Sequence, residues 1–174
     1  MKGHIMKLLR HITDQDITGE DAFTYASPRR AARAVLLDCE GRLALMYVGG
    51  LDLYTLPGGG MEEGEDVMAT IHREMLEETG CNCEITGELG YTIENRARMD
   101  FTQHSFYFYG RVTSEKGQPS FTDEEVSDET VLGWYTLSEA MKLVVHKKHE
   151  GYQCRYIQAR DSAALEALRK ILSK

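Results

Sequence analysis

Residues 59–81 read Gly59-Gly60-Met61-Glu62-Glu63-Gly64-Glu65-Asp66-Val67-Met68-Ala69-Thr70-Ile71-His72-Arg73-Glu74-Met75-Leu76-Glu77-Glu78-Thr79-Gly80-Cys81, and the pattern inside this stretch organises the rest of the chain. From Asp66 to Thr79 there is neither Gly nor Pro, and Gly80 follows as a natural C-cap, so this segment is expected to be a helix. On a helix, Glu74, Glu77 and Glu78 fall within an arc of roughly 100°, because positions i, i+3 and i+4 share a face. Like charges so placed destabilise a helix by a few tenths of a kcal/mol, and a compensating cation is expected. Val67, Met68, Ile71 and Met75 define the apolar face, and Glu78 projects within it. A carboxylate at such a boundary must be paired, protonated or metal-bound. Arg73 is the cation within the helix; it points toward Glu77 rather than Glu78 and cannot neutralise three acids. Carboxylate oxygens with a nearby backbone carbonyl suit a hard divalent ion, Mg²⁺ or Mn²⁺. The lead-in Leu56-Pro57-Gly58-Gly59-Gly60 lets backbone groups approach a ligand closely.

Upstream of this stretch, the apolar runs Ala31–Leu37 and Leu43–Val48 flank the turn residues Asp38-Cys39-Glu40-Gly41 and are expected to form a β-hairpin. Downstream, Tyr91–Asn95, His104–Val112 and Thr130–Tyr135 read as strands. Ser138 is positioned to cap a short helix through Val145. Asp161 is positioned to cap a terminal helix over 161–174, with Leu165, Leu168 and Leu172 on its core stripe. Residues 1–28 form an N-terminal extension whose Ile5–Leu9 run suits an edge strand or a dimer contact. The pattern as a whole is a mixed sheet with helices in one domain spanning 1–174.

The size of the chain, 174 residues, and its 42% hydrophobic and 28% charged content agree with one domain that buries a core unaided. The net charge of −8 disfavours a nucleic-acid polymer or an anionic membrane as partner. A small anionic substrate would need a local reversal of sign, from arginines or a bound cation. No apolar run reaches the roughly 20 residues of a membrane span and the start lacks the features of a signal peptide, so a cytoplasmic location is expected. Cys39, Cys81, Cys83 and Cys154 are too few and too scattered for a disulfide scaffold, and they read as reduced thiols.

Residues 59–81 match at every fixed position the Nudix box, Gly-x5-Glu-x7-Arg-Glu-U-x-Glu-Glu-x-Gly-U with U a bulky apolar residue; Cys81 is a small occupant of the last U site. The chain therefore resembles the Nudix (MutT-like) hydrolases, and the order of flanking elements extends the resemblance over Arg29–Val145. The resemblance implies an α/β fold (α+β by strand order), an α/β/α sandwich around a mixed sheet, and hydrolysis of a nucleoside diphosphate linked to another moiety. It also implies that Glu74, Glu77, Glu78 and the Gly58 carbonyl hold Mg²⁺ or Mn²⁺, that Arg73 aligns the glutamates, and that Gly59 and Glu65 support them from behind. The proton acceptor is either a box glutamate or a member of the acidic loop Asp123–Glu129, where Glu125 is the choice. Arg29, Arg33 and Arg96, with Arg30 and Arg98, are the cations suited to phosphate, and Tyr54 is placed to stack on a base or ring.

Markers of the substrate subclasses are thin. The proline that ADP-ribose hydrolases of this family often carry past the box is missing around Ala97, and Tyr91 lies too early to match the tyrosine of the bis-nucleoside polyphosphate type. A nucleoside triphosphate, including noncanonical ones, is the leading substrate. The alternatives are a nucleotide-sugar or ADP-ribose pyrophosphatase, and a non-catalytic regulatory module that binds a nucleotide. Retention of all three glutamates favours hydrolysis. The expected partner is thus a small nucleotide, with a homodimer through the N-terminal strand and terminal helix as a further option.

Overall fold

The computed structural model describes residues 5–173. Its principal elements are β1 (Leu8–Thr13), the single turn α1 (Asp14–Ile17), β2 (Arg29–Leu37), β3 (Leu43–Val48), β4 (Leu53–Thr55), β5 (Gly58–Gly60), α2 (Val67–Thr79), β6 (Cys83–Arg96), β7 (Phe101–Val112), α3 (Asp123–Ser127), β8 (Thr130–Tyr135), α4 (Leu137–Ala140) and α5 (Tyr152–Leu172); a π-helical turn, Met141–His146, continues α4. The strands form one sheet in the order β1-β6-β7-β2-β3-β4, with β5 paired to β2 and β8 to β3. β1 runs parallel to β6 and β2 parallel to β7, while the other pairings are antiparallel. Among the described residues no helix is long and apolar enough to cross a membrane.

The central strand β2 is apolar on both faces because helices cover both. Ala32, Ala34 and Leu36 pack against Ile71 and Met75 of α2, together with Cys81. Val35, on the opposite face, joins Tyr107 of β7 and Leu165 and Leu168 of α5. Burial of each large side chain in these two layers contributes about 1.5–3 kcal/mol, and the result is the expected α/β/α sandwich around a mixed sheet.

Several local expectations are corrected. The two runs joined at Asp38–Gly41 do turn back on each other, but β2 and β3 share only the pair Leu37↔Leu43. They splay because the edges of β2 are taken by β7 and β5 and those of β3 by β8 and β4. The expected strand at Tyr91–Asn95 is the inner part of the longer β6, whose register against β7 slips near Gly87 and Gly90, where bulges form. Thr136, not Ser138, caps α4: its hydroxyl accepts from the Glu139 amide while the Glu139 carboxylate accepts from Thr136. Of the outer apolar positions, Met68 is 36% exposed and Leu172 58%. The N-terminal extension supplies the edge strand β1, and α1 beyond it is fastened to α5 through Asp14, whose Oδ1 accepts from the Tyr152 hydroxyl at 2.5 Å and the Tyr156 hydroxyl at 2.7 Å. Residues 1–4 of the extension lie outside the described residues.

The largest correction concerns Asp161. The last helix starts at Tyr152, behind Gly151, so Asp161 lies in mid-helix with its side chain fully buried. Its Oδ2 accepts from Thr55 Oγ1 (2.6 Å) and the Leu56 amide (3.0 Å), and its Oδ1 from the Tyr107 hydroxyl (2.8 Å) and Arg160 Nε (3.2 Å). Burial alone would raise its pKa, but Arg160, Arg33 and these hydrogen bonds outweigh burial and hold it below the usual carboxylate value. The stabilisation is therefore complete at neutral pH and is lost as pH falls through that lowered value. Asp161→Asn replaces an acceptor facing four donors with an amide that is half donor. It is expected to cost about 3 kcal/mol in urea unfolding, and the stability of the variant should fall less steeply in acid than that of the wild type.

Candidate active site

The helix that carries the glutamates is fixed at both ends. Asp66 caps its start by accepting from the Ala69 amide at 2.8 Å, and Gly80 ends it with φ +65°, a conformation that disfavours a side chain. The segment after β7 then crosses its C-terminus, where the Ser120 amide donates to the Glu77 carbonyl at 2.7 Å and the Gly117 amide to the Gly80 carbonyl at 3.1 Å. With Ile71 and Met75 turned into the sheet, the following turn of the helix carries Glu74, Glu77 and Glu78 to the rim of β5. They line a cleft of about 570 Å³ together with Arg29, Arg73, the glycines of β5 and Glu125.

Arg73 organises this cleft. Its Nε and Nη2 donate to the two oxygens of Glu65 at 2.7 and 3.0 Å, its Nη1 to Glu74 at 2.8 Å and Glu77 at 3.1 Å, and its Nη2 also to the Gly60 carbonyl at 3.1 Å. Glu65 in turn accepts from the Glu62 amide and the Thr70 hydroxyl. Arg73, followed by these other donors, holds its carboxyl down to about 2. Glu65 therefore stays charged and anchors Arg73 from behind.

Among the described residues Glu78 forms no ion pair with a guanidinium, in contrast to Glu74 and Glu77. Its Oε2 accepts from the Gly58 amide at 2.5 Å, while burial first and the charge of Glu74 second push its pKa well above the usual carboxylate range. Glu74 is raised too, by burial that Arg73 only partly offsets. The glycines make this crowding possible. Gly58 sits at φ +133°, where an added Cβ would overlap the Ala32 carbonyl, and at Gly59 a Cβ would overlap the Glu74 carboxylate. Arg33 lies beneath the loop, its Nη1 donating to the Gly58 carbonyl at 2.7 Å and the Leu56 carbonyl at 3.1 Å.

The sequence-based choices thus divide. Arg29, Gly58, Gly59, Arg73, Glu74, Glu77, Glu78 and Glu125 meet at one cleft, with Glu65 behind it. Glu125 belongs to α3 rather than a loop, and its carboxylate accepts from the amide and hydroxyl of Thr122 at 2.7 and 2.8 Å, closing that helix's N-terminus. Tyr54 does not reach the cleft; it packs 4.9 Å from the Tyr47 ring and 5.8 Å from Tyr135, because the pairing of β4 with β3 turns it toward the aromatic cluster. Arg96 pairs with the buried Glu94 at 2.5 Å and stacks on Phe101 and Tyr156. Arg33 is a support of the loop, Arg98 pairs with Glu20, and Arg30 lies over Phe106. Arg160 escaped the sequence reading and Asp161 entered it only as a helix cap: nothing local in a helical stretch marks an acid whose partners lie 54 to 106 residues away.

The donor set fits a hard divalent cation in kind: Glu74, Glu77 and Glu78 bring three carboxylates to a cleft in which Arg73 and Arg29 are the cations. As the side chains stand, no group of three His, Cys, Asp or Glu among the described residues converges closely enough to hold an ion. Arg73 draws Glu74 and Glu77 to itself and the Gly58 amide holds Glu78, so binding an ion here would require these carboxylates to swing outward. Glu78→Gln relieves the burial of an unpaired charge and should raise the melting temperature in EDTA by about 3 °C, roughly 1 kcal/mol for a chain of this length. Differential scanning calorimetry with the metal chelated reads this directly.

The NUDIX domain family model matches residues 27–155. A protein named "Putative 8-oxo-dGTP diphosphatase" from Bacillus subtilis (strain 168) is 28% identical over 94 residues, which make up 54% of this chain and 60% of that relative's length. Among solved structures, a NUDIX hydrolase from Nitrosomonas europaea superposes with a TM-score of 0.63 at 20% identity, covering 83% of this chain and 90% of the other. The NUDIX domain of NrtR from Shewanella oneidensis, solved with ADP ribose, superposes with a TM-score of 0.59 at 17% identity, covering 85% and 90%. Members of this family generally use divalent metals, and the chain, matched from just before β2 into the last helix, belongs to the NUDIX domain family.

Proposed function

We propose that this protein is a divalent-metal-dependent pyrophosphohydrolase that cleaves the diphosphate linkage of a nucleoside diphosphate joined to another moiety, with a nucleoside triphosphate, including oxidised or otherwise noncanonical ones, as the favoured substrate. The observation that carries this reading is the placement of Glu74, Glu77 and Glu78 by one helix on one cleft, beside a glycine strand and Arg29. The likeness to the Bacillus relative named for 8-oxo-dGTP supports the noncanonical choice.

Glu74, Glu77 and Glu78 would hold Mg²⁺ or Mn²⁺, and the Gly58 carbonyl, which already accepts from Arg33, would join through its second lone pair. When bound, the metal neutralises the diphosphate oxygens and lowers the pKa of water. The chain's own groups do the rest. Arg73, charged and locked onto Glu65, gathers Glu74 and Glu77 at the wall of the cleft, from which they would turn outward on loading. Arg29 places a guanidinium over Gly60 at the cleft, where it would meet a phosphate of the substrate. Glu125 faces the same cleft and is the candidate to accept the water's proton once it releases Thr122.

Glu77→Gln and Glu78→Gln should each lower turnover at least a hundredfold while leaving the circular dichroism spectrum unchanged. The assay is release of phosphate or pyrophosphate, with product identification, over a panel of nucleoside triphosphates, nucleotide sugars and dinucleotides in Mg²⁺ or Mn²⁺. Turnover equal to wild type in both variants overturns the reading. Hydrolysis confined to nucleotide sugars or ADP-ribose would move the substrate class, and binding of a nucleotide without turnover would make the domain a regulatory module.

A further inference from the structure

Next to the glutamate cleft, and sharing Arg29 with it, lies a second pocket of about 260 Å³ whose lining includes Arg33, Arg96 and Arg160. Three separate elements supply these side chains: β2 gives Arg29 and Arg33, the end of β6 gives Arg96, and α5 gives Arg160. In a chain of net charge −8, such convergence reverses the local sign. The carboxylates that contact the cluster are Glu94 and Asp161, both fully buried. Glu94 bonds Arg96 at 2.5 Å and lies 3.5 Å from Arg160, and Asp161 lies 3.2 Å from Arg160. On the pocket side four guanidinium groups thus meet two carboxylates, an excess of two positive charges there, while Glu74 and Glu78, whose charges also reach Arg33, lie on the cleft side.

The excess resides on Arg29 and Arg33, which form no ion pair among the described residues. Arg33 spends its Nη1 on two backbone carbonyls, and its Nε is buried without a hydrogen-bond partner. A purely structural arginine cluster would be balanced, since burying an unpaired charge is costly. Gln103 and Gln153 also line the pocket with neutral hydrogen-bonding groups. The volume is below the roughly 300–1,000 Å³ of a site that takes a whole small molecule, and suits one anionic group of a larger one.

We propose that this arginine pocket is a subsite for a second phosphate group of the substrate, separate from the diphosphate engaged at Glu74, Glu77 and Glu78. The substrate class is then a nucleoside diphosphate derivative that carries a further phosphate, as a phosphomonoester on a sugar or as the end of a polyphosphate. The assignment of a substrate to the neighbouring cleft rests on the hydrolase reading above; the charge excess in the pocket does not.

Two measurements test it. In EDTA, where no metal-dependent turnover occurs, inorganic pyrophosphate is titrated calorimetrically into wild type, Arg29→Gln and Gln153→Glu. Wild type should bind, and each variant should bind at least fivefold more weakly. Gln153 is exposed on α5 and does not line the glutamate cleft, so its variant isolates the pocket. In Mg²⁺, kcat/KM is compared within pairs that differ by one phosphate, NADPH against NADH and a nucleoside triphosphate against its diphosphate. At least one pair should show a tenfold or greater preference for the extra phosphate, and Gln153→Glu should erase it through KM. Absence of pyrophosphate binding in wild type, equal binding in all three proteins, or equal kcat/KM within both pairs overturns the proposal. Arginine-dependent binding with no turnover of any compound upholds the phosphate site and overturns the hydrolase reading instead.

Discussion

The turn Leu56-Pro57-Gly58 is held from two sides, and the geometry of both pockets follows from that clamp. From α5, the Asp161 carboxylate takes the Leu56 amide and the Thr55 hydroxyl; from β2, the Arg33 guanidinium takes the carbonyls of Leu56 and Gly58. With the turn fixed, β5 must leave along β2, and the Gly58 amide is aimed at Glu78. The glycines matter here for a steric reason. A side chain at 58 would strike β2 and one at 59 would strike Glu74, so the carboxylates could not come so close to the backbone.

Charge is distributed with the same economy of parts. Acidic groups outnumber basic ones in the chain as a whole, yet each cluster near the site has an organising cation: Arg73 gathers Glu65, Glu74 and Glu77, and Arg160 links Glu94 to Asp161. The first cluster leaves carboxylates in excess, raised in pKa where they are buried, and the second leaves guanidiniums in excess. Two adjoining pockets of opposite sign, with Arg29 common to both, form one extended surface, the one we propose for a molecule that bears phosphate and binds a cation.

Much of this was legible in residues 59–81 because the information there is local. Helical periodicity puts Glu74, Glu77 and Glu78 on one face, Asp66 and Gly80 mark the ends, and the spacing of Arg73 to Glu65 and Glu77 lets one guanidinium serve both. The apolar runs of β2, β3, β7 and β8 identified strands for the same reason. Pairing was harder to read: β2 and β3, adjacent through a tight turn, exchange only one residue pair because each finds better partners far along the chain.

Taken alone, then, the sequence pattern determined which helix carries the glutamates, that a mixed sheet accompanies it, and that its charge calls for a counter-ion, while the two helical layers were implied by the family resemblance. Those properties depend on residues a few positions apart, whose relative directions the helix or strand fixes by itself. The tertiary structure decided that Asp161 is a buried acceptor and not a cap, that Tyr54 turns into the aromatic cluster, that Glu125 closes α3, and that Arg29, Arg33, Arg96 and Arg160 surround one space. Each of those outcomes joins side chains from distant elements across the sheet. Their positions depend on strand order and register, which no local periodicity encodes.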